Sequence, residues 1–105
     1  MIKVAIKKEK DGKIVYQQGG VTGRLLSAYA GGQLLRLEIE AGVRLEPHLV
    51  DFAAEFYVLN GSGIFIYEGE SAEIACGEVV SADANTARGF ENNGSENLEV
   101  LVIKH

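Results

Sequence analysis

Residues 46–63 read EPHLVDFAAEFYVLNGSG, and this stretch decides how the chain is interpreted. Its segment FYVL at 56–59 combines aromatic, β-branched and aliphatic residues of the kind that pack well on a pleated sheet. Asn60-Gly61 follows at once, and this dipeptide is typical of tight hairpin turns because both residues tolerate positive φ angles. Residues 50–59 could instead form a short helix capped by Asp51. We favour a turn followed by a strand and a hairpin turn.

Short strands separated by turns are indicated along the rest of the chain as well. Residues 34–40 alternate between apolar and polar side chains, as a half-buried strand does. The run at 98–103 is rich in β-branched residues and is typical of a central strand. The turn signals are mostly spaced roughly 8–12 residues apart, which favours a sandwich or barrel. They lie at Asp11-Gly12, Gly19-Gly20, Gly31-Gly32, Asn60-Gly61, Glu68-Gly69, Cys76-Gly77 and Asn93-Gly94.

The size and composition are those of one globular domain. The chain has 105 residues, 47% of them hydrophobic, and can bury a core without crosslinks. Cys76 is the single cysteine, so no internal disulfide can form, which fits a reducing compartment. Lysines interrupt the amino terminus too early for a signal peptide, and long uncharged runs such as 25–35 are too short to span a membrane. We therefore expect a cytoplasmic protein without a membrane partner.

The net charge of −5 is unevenly distributed. Residues 1–13 hold five lysines and two acidic residues, whereas residues 14–105 hold five basic and thirteen acidic residues. An acidic surface of this kind repels nucleic acid, which we exclude as a partner. The lysine-rich segment is typical of a solvated edge strand that lysine protects from aggregation. A contact with a partner or a phosphate is the alternative.

From Gly42 onward the chain resembles the small single-domain cupins, a conserved β-barrel family. The first motif of that family runs G-x5-H-x-H-x3-E-x6-G. Gly42 and Gly61 occupy its two glycine positions, and His48 occupies the first histidine position. Val50 takes the second histidine position and Ala54 takes the glutamate position.

The second family motif, G-x5-P-x-G-x2-H-x3-N, begins at Gly77. Asp83 and Asn85 stand in for its proline and second glycine. Arg88 replaces the histidine, while Asn92 keeps the asparagine. Both motifs fit without a gap, so the resemblance rests on their spacing as well as on their composition.

The resemblance implies an all-β fold, namely a single cupin-type jelly-roll β-barrel with the motif residues directed into an internal pocket. The whole chain, 1–105, would be one cupin domain. The motif-bearing barrel would span 42–103, and residues 1–18 would form an N-terminal strand or hairpin available to a dimer interface. Because cupins often form dimers, we expect a homodimer.

The positions that bind metal in the family are altered. A typical cupin holds Fe, Mn, Ni or Zn with three histidines and a glutamate, a donor set that suits those metals. The corresponding residues here are His48, Val50, Ala54 and Arg88. Valine and alanine carry no donor atom, and arginine stays protonated. We therefore expect no metal and no other cofactor.

One alternative metal site uses different carboxylates. Glu46 lies two residues before His48, so both would share one face of a strand. Glu55 follows the lost glutamate position, and a bulge could turn it inward. The alternative metal ligands are therefore His48, Glu46 and Glu55.

Arg88 suggests what the altered pocket could bind. A guanidinium suits a carboxylate or a phosphate. We expect the barrel to bind a small anionic or hydroxylated molecule, such as a carboxylate or sugar acid, without a metal. Arg88 would anchor the ligand and His48 would offer a hydrogen bond or a proton. Phe56, Tyr57 and Asn92 complete the candidate ligand-binding residues.

Other interpretations stay open. Arg88 could turn outward, or pair with Asp83, Glu55 or Glu91. The protein could be a cupin enzyme with an atypical metal site (an isomerase, epimerase or oxygenase), or a barrel that assembles with a partner protein. Cys76 is expected to be an inert core residue. No phosphate-loop, G-x-S-x-G or H-E-x-x-H motif is present.

Overall fold

The computed structural model describes residues 4–105, in which ten strands and a short 3₁₀ turn, but no α-helix, are found. The predicted all-β fold class is confirmed. The 3₁₀ turn is Glu9–Asp11, and the strands are β1 Lys13–Gln18, β2 Val21–Tyr29, β3 Gly32–Ile39, β4 Arg44–Val50, β5 Ala54–Asn60, β6 Ser62–Tyr67, β7 Glu70–Ala75, β8 Val79–Ala82, β9 Thr86–Glu91 and β10 Leu98–Lys104.

Two antiparallel sheets pack face to face. The six-stranded sheet has the order β1-β2-β3-β10-β5-β8, and the four-stranded sheet has the order β4-β9-β6-β7. β10 lies between β3 and β5, which confirms the central strand predicted at 98–103. Among the described residues no helix has the length and apolar character needed to cross a membrane.

Three phenylalanines join the two sheets at the centre of the core. Phe56 comes from the six-stranded sheet, whereas Phe65 and Phe90 come from the four-stranded sheet. Their ring centroids lie 5.3–5.7 Å apart, within the range of favourable aromatic pairs. Each such pair adds about 0.5–1.5 kcal/mol beyond the burial of apolar area. The cluster therefore fixes the spacing of the sheets beside the cavity described below.

The structure confirms one of the two predictions made for residues 46–63. A turn follows Val50 and the strand β5 begins at Ala54, so the strand interpretation is confirmed over the helical one. The predicted hairpin turn at Asn60-Gly61 is wrong, because β5 pairs with β10 and β8 while β6 pairs with β7 and β9. Gly61, with φ of 81°, instead carries the chain from one sheet to the other.

β1 forms one edge of the six-stranded sheet and pairs only with β2. Every residue of β1 is exposed. The segment before it, which contains most of the lysines of residues 1–13, is also exposed from Val4 onward. The predictions made for residues 1–3 lie outside the described residues.

Candidate functional site

A cavity of about 420 Å³ opens between the two sheets. The six-stranded sheet contributes residues of β1, β2, β3, β5 and β10 to its wall, and the four-stranded sheet contributes residues of β4 and β9. Phe52, from the turn between β4 and β5, completes it. The wall is mostly aliphatic and aromatic, and no aspartate or glutamate is among its lining residues.

Arg88 and His48 meet at this cavity. They are directly opposite each other in the antiparallel pair of β4 and β9. Side chains at opposed positions project to the same face of a sheet, and both residues line the cavity. Arg88 is only 3% exposed, whereas His48 is exposed at the rim. Phe56, the third sequence-predicted residue at the cavity, lies in its wall.

A bulge in β4 places His48 there. The register between β4 and β9 shifts between Leu45 and His48. Leu45 and His48 both line the cavity although they are three residues apart, which regular alternation does not allow. The bulge leaves Glu46 exposed, where its carboxylate accepts a hydrogen bond of 2.7 Å from Arg44. Glu46 does not line this cavity, but Glu46 and His48 together border a second pocket, so the prediction that they share a face stays a prediction.

The guanidinium of Arg88 is incompletely paired. Nη2 donates to the backbone oxygen of Asp83 at 2.6 Å and to Oγ1 of Thr86 at 3.0 Å. Nε and Nη1 are buried and find no acceptor within residues 4–105. Burial lowers the pKa of Arg88, and the nearby Tyr67 and Asp83 offset this effect only in part. The folded state therefore disfavours the charged form of Arg88.

Phe52 brings a second cation to the site. The Cζ atom of Arg88 lies 5.3 Å from the centroid of the Phe52 ring, and the Nζ atom of Lys104 lies 4.2 Å from the same centroid. Both distances fit cation–π contacts. Lys104 also lines the cavity. The lysine and arginine side chains of the wall therefore make its charged part cationic.

The hydrogen bonding of His48 defines what the imidazole can do. Nδ1 lies 3.2 Å from the backbone oxygen of Glu46. Because a carbonyl oxygen can only accept, this contact assigns the hydrogen of the neutral ring to Nδ1. Nε2 then keeps a free lone pair and can accept a hydrogen bond from a ligand at the rim.

The residues at the four metal positions do not fit a divalent cation. Val50 lies in the cavity wall and Ala54 is buried, and neither offers a donor atom. Arg88 places a positive charge where the family has its last histidine, which leaves His48 as a lone imidazole. Within residues 4–105 no group of three or more histidine, cysteine, aspartate or glutamate residues could hold a metal ion.

The alternative metal set does not assemble either. Glu55 lies opposite Ser81 in the pairing of β5 and β8. Its carboxylate accepts a hydrogen bond from the Ser81 hydroxyl and does not line the cavity. No bulge turns it inward, so it cannot join His48 as the prediction required.

Two further predicted ligand residues lie away from the cavity. Tyr57 is exposed on the outer face of β5, since its two neighbours on that strand point inward. Asn92 is fully buried, and its Nδ2 donates to the backbone oxygens of Ile39 and Glu96 at 2.9 and 2.8 Å. Its Oδ1 accepts from the Gly94 amide at 3.0 Å. These hydrogen bonds of Asn92 therefore stabilise the connection between β9 and β10.

The structure also corrects one prediction and adds residues that sequence reasoning missed. Cys76 is exposed, so it is not a core residue, and its thiol donates to the Leu59 carbonyl at 3.3 Å. Phe52 and Lys104 were not predicted. Lys104 lies two residues after the buried Val102 on β10, so the alternation along this strand could have predicted that its side chain points inward. Phe52 lies between strands, where no alternation of side chains predicts its direction.

Comparisons with known proteins agree with this fold. The family model described as Cupin domain matches residues 35–104. An oxalate-binding protein of Thermotoga maritima is 30% identical over 69 residues, which cover 66% of this chain and 56% of that protein. The chain thus matches little more than half the length of this relative.

Solved structures with the same fold cover nearly all of the chain. A Thermotoga maritima protein described as a predicted oxalate decarboxylase has a TM-score of 0.81 at 20% identity, covering 95% of this chain and 97% of its own. KdgF from Halomonas sp. has a TM-score of 0.81 at 14% identity, with coverage of 97% and 94%. The polyketide cyclase RemF from Streptomyces resistomycificus has a TM-score of 0.77 at 24% identity, with coverage of 99% and 79%. From its motifs, its fold and its match to the family model, the chain belongs to the cupin family.

Proposed function

We propose that this cupin binds a small carboxylate in the cavity between the sheets, without a metal, and that Arg88 anchors it. The observation that carries the proposal is the buried guanidinium, whose Nε and Nη1 atoms find no acceptor within residues 4–105. Because Nη2 donates both of its hydrogens, the three remaining N–H donors of this side chain, on Nε and Nη1, are unpaired.

Energetics favour an anion at this position. Each buried donor without a partner costs about 1–3 kcal/mol, and more when it is charged. After a side-chain shift that opens the buried Nε and Nη1 to the cavity, a carboxylate would supply both acceptors and the opposite charge, in the strongest class of protein hydrogen bond. The mostly apolar wall lowers the local dielectric, which strengthens the attraction. The cavity volume of about 420 Å³ lies within the range of small-molecule sites.

The comparisons support the same class of ligand. The Thermotoga maritima relative is named as an oxalate-binding protein, and oxalate is a small carboxylate. His48 would add a hydrogen bond at the rim, because its Nε2 lone pair can accept from a hydroxyl or a protonated carboxyl group.

Calorimetric titration of chelator-treated protein with oxalate and acetate tests the proposal. We expect saturable binding of at least one of them by the original chain. The Arg88→Gln variant should bind it roughly 30-fold more weakly or worse, the lower limit for removing one partner of a buried charge pair. Arg44→Gln is the matched control, because Arg44 is exposed, binds Glu46 and Glu91, and does not line this cavity.

Three results would overturn the proposal. The first is the absence of binding by the chelator-treated protein to either acid. The second is binding that appears only after a divalent metal is restored. The third is unchanged affinity in a folded Arg88→Gln variant.

A further inference from the structure

Lys104 presents a second cation to the cavity, and no acidic residue pairs with it. It lies on β10 at the second position after Val102, which is buried, so its stem points toward the interior. Its ammonium group contacts the face of Phe52, with 4.2 Å from Nζ to the ring centroid. Within residues 4–105 the ion pairs of the protein involve Arg36 and Arg44, and none involves Lys104.

Arg88 contacts the same ring, with 5.3 Å from Cζ to the centroid. The two cationic groups are therefore no farther apart than the sum of their two distances to Phe52. Within residues 4–105 neither cation forms a salt bridge, and no aspartate or glutamate lines the cavity. A ligand with two negative charges could therefore pair with both cations at once.

Arg36 does not compete for this role. Arg36 borders the cavity on β3, but its Nη1 and Nη2 donate to Glu9 and Glu99 at 2.7 and 2.6 Å. Within the described part of the chain, Arg88 and Lys104 are thus the cavity-lining lysine and arginine residues that form no salt bridge.

We propose that the ligand is a small dicarboxylate, with one carboxylate at Arg88 and the other at Lys104. Lys104 is then the specificity-determining residue that selects dicarboxylates over monocarboxylates. Phe52, which touches both cations, sets the separation between the two anion positions. This inference rests on the proposed function, because it adds a second contact to the site that Arg88 defines.

A calorimetric series measures the contribution of the second carboxylate. Chelator-treated protein is titrated with oxalate, malonate, succinate and glutarate, and with acetate and propionate as the monocarboxylates. We expect at least one diacid to bind roughly tenfold more tightly than the better monoacid, since a second partly desolvated charge pair contributes about 1.4 kcal/mol. The chain length that binds most tightly reports the separation of the two cations.

Variants of Lys104 then assign that preference to a residue. Lys104→Met removes the charge but keeps an unbranched apolar stem against Phe52. It should abolish the preference for diacids and leave monoacid affinity within about twofold. Lys104→Arg keeps the charge and should retain the preference. Lys13→Met is the matched control, because Lys13 is an exposed lysine that does not line this cavity.

The failures of the two proposals can be told apart. If monoacids and diacids bind equally well, or if Lys104→Met weakens both to the same extent, the dicarboxylate inference is wrong while carboxylate binding at Arg88 stands. If no acid binds the original chain, or if Arg88→Gln binds all of them unchanged, the proposed function is wrong and the inference falls with it. Circular dichroism and urea unfolding of each variant show whether it is folded.

Discussion

Arg88 carries a positive charge into a part of the protein that is otherwise almost entirely apolar. The side chain is 3% exposed, and its Nη2 atom makes both of its hydrogen bonds within the protein. A buried charge with unused donors lowers the stability of a fold unless a partner is supplied. Its presence at a position where other cupins have a histidine therefore favours a role in binding over a role in stability.

Replacing Arg88 with methionine should stabilise the ligand-free protein. Because the folded state lowers the pKa of Arg88, it disfavours the charged form, and an apolar side chain of similar length removes that cost. We expect the free energy of unfolding to rise by about 1–2 kcal/mol in urea denaturation without ligand. Arg44→Met, at an exposed ion-paired position, should change it little. A fall in stability for Arg88→Met would show that the internal contacts of Arg88 outweigh its desolvation.

At the level of elements, the contact of β4 with β9 shapes the rim of the cavity. At the bulge, the backbone of β4 packs closely against Gly89, the residue that follows Arg88. A Cβ atom on Gly89 would meet the Leu45 carbonyl and would lie 2.6 Å from the backbone nitrogen of Pro47. This close approach of two backbones requires glycine, although Gly89 itself has no positive φ angle.

Gly89→Ala should be strongly destabilising. β9 cannot yield easily, because it is also paired with β6, so the strain falls on the edge strand β4. We expect a loss of about 3 kcal/mol, the upper end for overpacking. Gly69→Ala is the matched control: Gly69 has a φ of 80° but open space around it, so only the cost of a left-handed residue, about 1–2 kcal/mol, applies. Urea denaturation ranks the two variants. Equal losses would mean that β4 moves away from β9 without much cost.

For the whole molecule, lysines and strongly exposed apolar side chains occur together in the amino-terminal segment. Residues 1–13 carry more lysines than acids, while residues 14–105 are strongly acidic. Val4 and Ile6 are each 80% exposed, and they precede the exposed edge strand β1. The basic segment of one copy would be attracted to the acidic body of another. This distribution supports the expected homodimer, which stays a prediction.

Sedimentation should therefore give a mass of about twice 11.3 kDa at micromolar concentration. Ile6→Glu should shift the protein toward the monomer, because it places an acidic side chain between the apolar segment and an acidic partner surface. Val79→Glu, at the exposed edge strand β8, is the control and should leave the mass unchanged. A monomer for the original chain would contradict the prediction.

The sequence predicts those parts of the candidate site that depend on spacing within a motif. His48 and Arg88 each lie in a motif of known register, and both line the cavity. Tyr57 takes no defined residue position in the motif, and it lies on the opposite face of its strand from Phe56. Asn92 occupies its motif position, but its amide is used inside the protein. Residue type without a known facing direction is thus a weak guide to a site.

The sequence by itself determined the all-β class, the central strand at the carboxyl terminus and the residues at the cupin motif positions, because alternation and turn chemistry are local properties of the chain. Only the tertiary structure decided that the chain changes sheet at Gly61, that a bulge in β4 brings both Leu45 and His48 to the cavity, and that Lys104 meets Phe52. These features depend on which strands pair and in which register. Pairing and register arise from contacts between residues distant in the sequence, and no local pattern contains that information.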